Sequence, residues 1–224
     1  MFFLLWISCV KTAKDKTNTN VKNDSLMTVT IDTSNTTSLF KEEATLTTDP
    51  GVEIKGVIWA TRNVDAPGTF TINPEDEGML YQWNSKIGWS VTDPPVSTDS
   101  SSWKYTWNGN NAVTWEVTNN VCPTGWRIPT QSELAQLFFI PSSKWTTMNG
   151  KIGREFGSVF LPAAGKLLSN PNVIHSDIGC YWSNQATDDS GNGITASNCI
   201  FTVNWTTWGI AEMACGCSVR CVKE

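Results

Sequence analysis

Beyond Gly51 the chain alternates short apolar runs with turn residues. Residues 52–60 alternate apolar and polar positions well enough to be one strand. Residues 79–83, 103–107 and 113–117 are further strand candidates, separated by loops such as Asp93-Pro94-Pro95 and the Ser-rich run 97–102. One helix is well signalled. Thr130-Gln131-Ser132-Glu133 reads as a capping box, in which the Thr130 hydroxyl caps a backbone N–H and Glu133 reaches back. Leu134, Leu137 and Phe138 then share one helical face, and Pro141 ends the element. Residues 144–156 hold a second, weaker helix candidate, interrupted by Gly150 and Gly153. After it the pattern is extended again. Residues 199–203 and 208–213 read as a hairpin around Trp205-Thr206-Thr207, and 217–222 as a terminal strand. Strands, one or two central helices, then terminal strands make an α+β order.

The first 50 residues follow another pattern. Of the 41 residues from 10 to 50, eighteen are Thr, Asn or Ser, and lysines gather at the start. Such a segment reads as a tether. Within it, Leu-Met-Thr-Val-Thr-Ile at 26–31 forms a short strand pattern with nothing local to pair with. Asp49-Pro50-Gly51 marks the boundary. The expected division is therefore a signal-peptide remnant over 1–8, a tether over 9–50, and a folded domain over 51–224.

Composition narrows the class. The 224 residues suffice for a real core. Charged residues are only 17%, below the usual ~25%, and the deficit is filled by Thr, Ser and Asn. A net charge of −5 without a basic cluster argues against a nucleic-acid partner, because phosphates must be neutralised to be bound. No run reaches the ~20 apolar residues of a transmembrane helix. The start is still informative: Phe2-Phe3-Leu4-Leu5-Trp6-Ile7-Ser8-Cys9 resembles the end of a bacterial lipoprotein signal peptide, with Cys9 as the lipidated residue. Trp6 and the missing basic segment depart from that pattern. The membrane is expected to be met through this lipid anchor only.

Setting Cys9 aside leaves six cysteines: Cys122, Cys180, Cys199, Cys215, Cys217 and Cys221. Six thiols in an exported chain point to disulfides, with fifteen connectivities open. Their spacing does not match paired zinc-ligand motifs. Catalytic signatures are scarce: a Ser or Cys nucleophile needs a base, and His175 is the only imidazole. No catalytic residue, cofactor or metal is expected. Asp188-Asp189-Ser190-Gly191-Asn192-Gly193 and Glu75-Asp76-Glu77 carry oxygen ligands that suit calcium, but such runs are usually turns.

Twelve Trp are the most suggestive feature. Trp83, Trp89, Trp103, Trp107 and Trp115 cluster among Ser, Asn and Gly, and flat aromatic faces can stack on sugars. Trp also dominates cores. Trp89, Trp103 and Trp107, in loop-flanked sequence, are the candidate ligand-binding residues.

Several segments together carry a family resemblance. They are Gly56-Val57-Ile58-Trp59-Ala60-Thr61-Arg62-Asn63-Val64-Asp65, Tyr81-Gln82-Trp83-Asn84, and Cys122-Pro123-Thr124-Gly125-Trp126-Arg127-Ile128-Pro129-Thr130. With them go Phe160-Leu161-Pro162-Ala163-Ala164-Gly165, Gly179-Cys180-Tyr181-Trp182-Ser183, and Ser218-Val219-Arg220-Cys221-Val222. In that order they resemble the Fibrobacter succinogenes major paralogous domain, common in bacterial surface proteins. The resemblance implies an α+β, C-type-lectin-like fold with short antiparallel strands, one or two central helices and long Trp-rich loops.

It also implies an exported lipoprotein at the outer membrane and cell surface, and the Trp-rich loops around residues 84–112 suggest a non-catalytic binding module for a glycan or protein ligand. The alternative is a structural component of the cell envelope or of a fimbria-like polymer. In the look-alike folds the helix region is joined to the terminal strand by a disulfide, which implies Cys122–Cys221. Hairpin register about Thr207 would set Cys199 opposite Cys215, leaving Cys180 for Cys217.

Overall fold

Glycine-containing two-residue turns decide much of the architecture. The computed structural model describes residues 46–107, 112–169, 177–187 and 194–224. Cys9, His175, the strand pattern at 26–31 and the 188–193 acidic run lie outside them. Residues 52–60 form a hairpin rather than one strand: β1 (Val52–Ile54) pairs with β2 (Val57–Trp59) around Lys55-Gly56, both at positive φ. A residue pair at positive φ matches the twist of the flanking strands, which is why such turns close hairpins.

The same chemistry overturns the second expected helix. Asn149 (φ 45°) and Gly150 (φ 84°) turn the chain between β6 (Lys144–Met148) and β7 (Lys151–Phe156). Asn-Gly is a strong hairpin signal, and it outweighs the helical spacing read at 144–156. β7 continues into β8 (Val159–Pro162), completing a three-stranded sheet.

Three more small sheets complete the described body. β1 and β2 are joined by β13 (Val222–Lys223) and β5 (Trp126–Arg127). β12 (Gly216–Cys217) pairs with β3 (Leu80–Gln82), which pairs with β4 (Gly88–Trp89). The longest strands, β9 (Gly179–Thr187), β10 (Thr195–Phe201) and β11 (Thr206–Glu212), form the last sheet with β11 at its edge.

The expected α+β, C-type-lectin-like arrangement is therefore replaced by a β-rich one. Among the described residues one short α-helix, α1 (Gln131–Phe138), accompanies four separate antiparallel sheets. A single eight-residue helix has one apolar stripe to bury, so it caps a sheet rather than forming a layer. Residues 103–107 form no strand, and around 113–117 there is only a bridge from Thr114 to Gln185 and a 3-10 turn, Val117–Asn119.

α1 itself forms as its sequence dictates. The Thr130 side chain accepts from Glu133 N at 3.2 Å, and Thr130 N donates to Glu133 Oε2 at 2.8 Å. Leu134, Leu137 and Phe138 are buried, each gaining roughly 1.5–3 kcal/mol. Phe138 stacks on Phe156 with centroids 4.6 Å apart, beside Tyr181 and Phe201. A second core gathers Trp83, Trp115, Trp126 and Trp182 with the disulfide.

Cys122 and Cys221 are disulfide-bonded, 99 residues apart in sequence. The other four described cysteines are buried thiols. Cys199 does not face Cys215. The hairpin turns at 202–205 instead of Thr207, so Cys199 pairs with Trp208. Alternation along β9 and β10 then sends Cys199 to the α1 side with Tyr181, while Cys180, Cys215 and Cys217 lie in the other core. Cys180 and Cys217 are neighbours: Ser218 N donates to Cys180 O at 2.9 Å, and burial, with the Cys180 thiol nearby, pushes the Cys217 thiol up.

Residues 46–50, expected in the tether, are fastened to the folded body. Arg62 Nε donates to Asp49 Oδ2 at 3.0 Å, both side chains nearly fully buried. The same carboxylate accepts from Thr61 N and Thr61 Oγ1.

Candidate ligand-binding cleft

The expected binding tryptophans do not form a common groove. Trp89 is only 3% exposed. It packs edge-on against Trp103, 5.0 Å between centroids, over Leu80, Ala164 and Leu167. Trp103 is half-buried and donates Nε1 to Leu168 O at 2.9 Å. Trp107, also half-buried, donates Nε1 to Trp83 O at 3.3 Å and packs on the other core. The sequence window was right about a Trp cluster, but tertiary packing divides its members between two cores.

A cleft of about 350 Å³ lies instead beside Trp115, at the lower end of the range for small-molecule sites. Its lining combines Trp115, Val117 and Ile128 with Glu116, Asn120, Arg127, Asn184 and Glu224. Three stretches of chain meet there. Residues 113–115 run along the free edge of β9: Trp115 N donates to Asn184 O at 2.7 Å and Ala186 N to Val113 O at 3.0 Å. Asn184 N donates to Pro129 O at 2.8 Å, which ties this edge to the start of α1. β5 supplies Arg127 and, just after it, Ile128.

Asn84 holds the cleft's rim. It is buried at φ 58°, a left-handed conformation that Asn tolerates better than most residues. Its Oδ1 accepts from Glu116 N at 2.9 Å and from Asn119 Nδ2 at 3.2 Å, and its Nδ2 donates to Glu116 Oε2 at 3.3 Å. One amide thus fixes both ends of the Val117–Asn119 turn. Trp115 Nε1 donates to Asn119 O at 2.8 Å, locking the indole to the same turn.

Two of the charges lining the cleft, Arg127 and Glu116, are engaged. Arg127 donates to both oxygens of Glu133, at 2.8 and 2.7 Å. That bidentate contact, aided by the Thr130 hydrogen bonds, holds the Glu133 carboxyl down at about 2 and raises Arg127. Glu116 accepts from Asn84 and Asn119. Asn120 donates to Trp126 O and accepts from Cys122 N. The half-buried Asn184 contributes a side-chain amide at the wall. The arrangement can hold a small polar group against an apolar wall.

A second hollow of about 320 Å³ is lined by Asp65, Asp76, Glu77 and Lys151 among others. Burial raises Asp65, and Asp76 adds to the rise. The calcium-like run Glu75-Asp76-Glu77 sends its carboxylates to different partners: Glu75 accepts from Asn149, Asp76 from Asn73, and Glu77 from Lys151. Among the described residues no group of three or more acidic, His or Cys side chains is placed to hold a metal ion.

Nothing in the sequence singled out this cleft. Trp115 was legible as part of the aromatic cluster and Asn84 as part of a motif, but Asn184 and Arg127 reach the site only through strand pairing across the fold. No protein-family model, curated protein or solved structure matches the chain.

Proposed function

We propose that this chain is an exported, cell-surface lipoprotein that acts as a non-catalytic binding module, with a glycan ligand seated in the Trp115 cleft. The observation that carries the reading is the cleft's make-up: Trp115, Val117 and Ile128 line it together with Asn120 and Asn184. Amides bond sugar hydroxyls in both directions, and an apolar wall takes the ring's C–H face. Arg127 is neutralised by Glu133, so the cleft offers no surplus positive charge to an anion. The Cys122–Cys221 disulfide fits an oxidising compartment outside the cytoplasm, and Ile7-Ser8-Cys9 supports lipid anchorage.

An array of neutral polysaccharides and oligosaccharides tests the reading. Binding is expected, and Asn184→Ala should weaken it about tenfold, the scale of one lost hydrogen bond. A chain that ignores every neutral glycan, or binding that Asn184→Ala leaves untouched, rejects the cleft as a glycan site. Retention of a protein ligand with the same Asn184 dependence would replace glycan by protein.

A further inference from the structure

β11 is the longest open sheet edge among the described residues. It runs seven residues, Thr206–Glu212, and pairs on one side only, with β10. Outside that ladder, the one described hydrogen bond to the backbone of residues 206–211 is the exposed Thr207 hydroxyl donating to Trp208 O. Other edges are shorter or covered. β6 has five residues and begins on Lys144, and the free side of β9 is met by Thr114, Ser218 and Gly165.

An open edge this long is normally blunted by lysine, proline or a bulge, because unpaired N–H and C=O groups template another strand. β11 carries none of the first two, and its single charge is Glu212 at the last position. The one bulge in this sheet lies in the β9–β10 pairing and leaves the β11 register unbroken. Apolar side chains gather beside the edge. Ile210 is 45% exposed and Trp205, in the preceding turn, 48%.

The strand is also complementary to itself. Two copies laid antiparallel about Gly209 overlap along all seven residues. That register sets Trp208 against Ile210 twice, Thr207 against Ala211 twice, and Gly209 against Gly209. Glu212 falls opposite Thr206, so the two glutamates lie at opposite ends. A two-fold contact needs one patch to match itself, and aromatic–aliphatic cross-strand pairs stabilise sheets. Trp208 and Ile210 lie on one face of the strand, so the pairing aligns them without a twist in register.

We propose that β11 is a homodimerisation edge: two copies of this chain pair antiparallel through Thr206–Glu212, centred on Gly209, and merge two β9–β10–β11 sheets into one of six strands. The contact closes on itself and yields dimers, and it leaves the Trp115 cleft unused.

Sedimentation velocity of the full chain over a wide concentration range tests this, together with hydrogen exchange of residues 206–212. A concentration-dependent dimer is expected, with the outward β11 amides slowing as dimer forms. Ile210→Lys should raise the dimer dissociation constant at least tenfold while keeping the far-UV spectrum, since Ile210 is substantially exposed. Val113→Lys, at a site 74% exposed beside the opposite, β9 edge of this sheet, should leave the dimer intact. A monomer at every concentration, an open-ended polymer, or a dimer indifferent to Ile210→Lys would each overturn the proposal. Glycan binding in the Asn184→Ala series is read separately, so failure of one does not decide the other.

Discussion

Arg220 Nε donates to Asn63 Oδ1 at 2.9 Å, joining residues 157 apart in sequence at a point with no solvent access. The same guanidinium donates to Ala60 O and Phe160 O, both at 3.0 Å. Asn63 in turn donates to Glu77 O and to Tyr181 Oη, and Tyr181 donates to Pro162 O. Four of the sequence motifs thus end in one buried polar cluster. Their shared residues hold the sheets together, and the Trp115 cleft lies elsewhere.

Removing the centre of that cluster should be severe. Burial lowers Arg220 to about 10, still charged at neutral pH. Arg220→Met strips the donor from three buried oxygens, each costing about 1–3 kcal/mol when left bare. We expect a loss of at least about 3 kcal/mol, read as a lower urea midpoint. Arg220→Lys should recover little, since an ammonium does not reproduce the planar fork. A midpoint unchanged in Arg220→Met would show that the cluster carries no stability.

Glu133 should impose an acid limb on stability. Its folded-state pKa, about 2, lies below the unfolded value near 4.3. The ionised carboxylate therefore stabilises the fold above about pH 4.3, and that contribution fades as pH falls toward 2. Glu133→Gln is expected to cost about 1 kcal/mol at pH 7, the scale of a helix cap, and to flatten the melting curve's dependence on pH between 4.5 and 2. Parallel pH profiles for both proteins would contradict the assignment.

The Cys122–Cys221 bond closes a loop with 99 residues of separation. Chain entropy values such closure at roughly 4–5 kcal/mol. The Cys122→Ala/Cys221→Ala double variant should accordingly melt far lower. Oxidation state alone should reproduce the loss: wild type in reductant should melt with the double variant held in the same reductant.

Cys180 and Cys217 are expected to join under oxidising refolding, because they are neighbours in one core, while Cys199 stays reduced behind the β9–β10 sheet. Burial pushes the Cys199, Cys215 and Cys217 thiols up, so none reacts readily in the folded state. Alkylation in denaturant followed by non-reducing peptide mapping reads the outcome. A Cys199–Cys215 peptide pair would contradict the observed register.

Membrane attachment through Cys9 is expected to depend on that residue alone. Cys9→Ser, expressed behind a complete signal sequence, should move the protein from the membrane fraction to the soluble one. Unchanged partition would exclude lipidation there. Chelation should leave the melting curve in place, since metal bound to the folded state would otherwise raise it.

What could be read in advance was local. The Thr130–Glu133 capping box and the Leu134/Leu137/Phe138 face were legible because helix ends and stripes are written within one or two turns. Asn149-Gly150 was equally local and equally written, yet the spacing of nearby apolar residues masked it. Trp89, Trp103 and Trp107 were not legible, since loop-like surroundings say nothing of what packs over a ring: Trp89 is covered by Leu80, its partner across the β3–β4 pairing, and by Leu167, remote in sequence.

By itself, then, the sequence determined the short β-prone runs and the one capped helix. Those depend on backbone propensity and neighbours a few positions away. Only the tertiary structure decided which strands pair, that the hairpin turns at 202–205, which face Cys199 takes, and that Trp115, Arg127 and Asn184 share a cleft. A one-residue change of register exchanges the two faces of a strand. Register here is chosen by the fit of whole cores, which no short stretch of chain encodes.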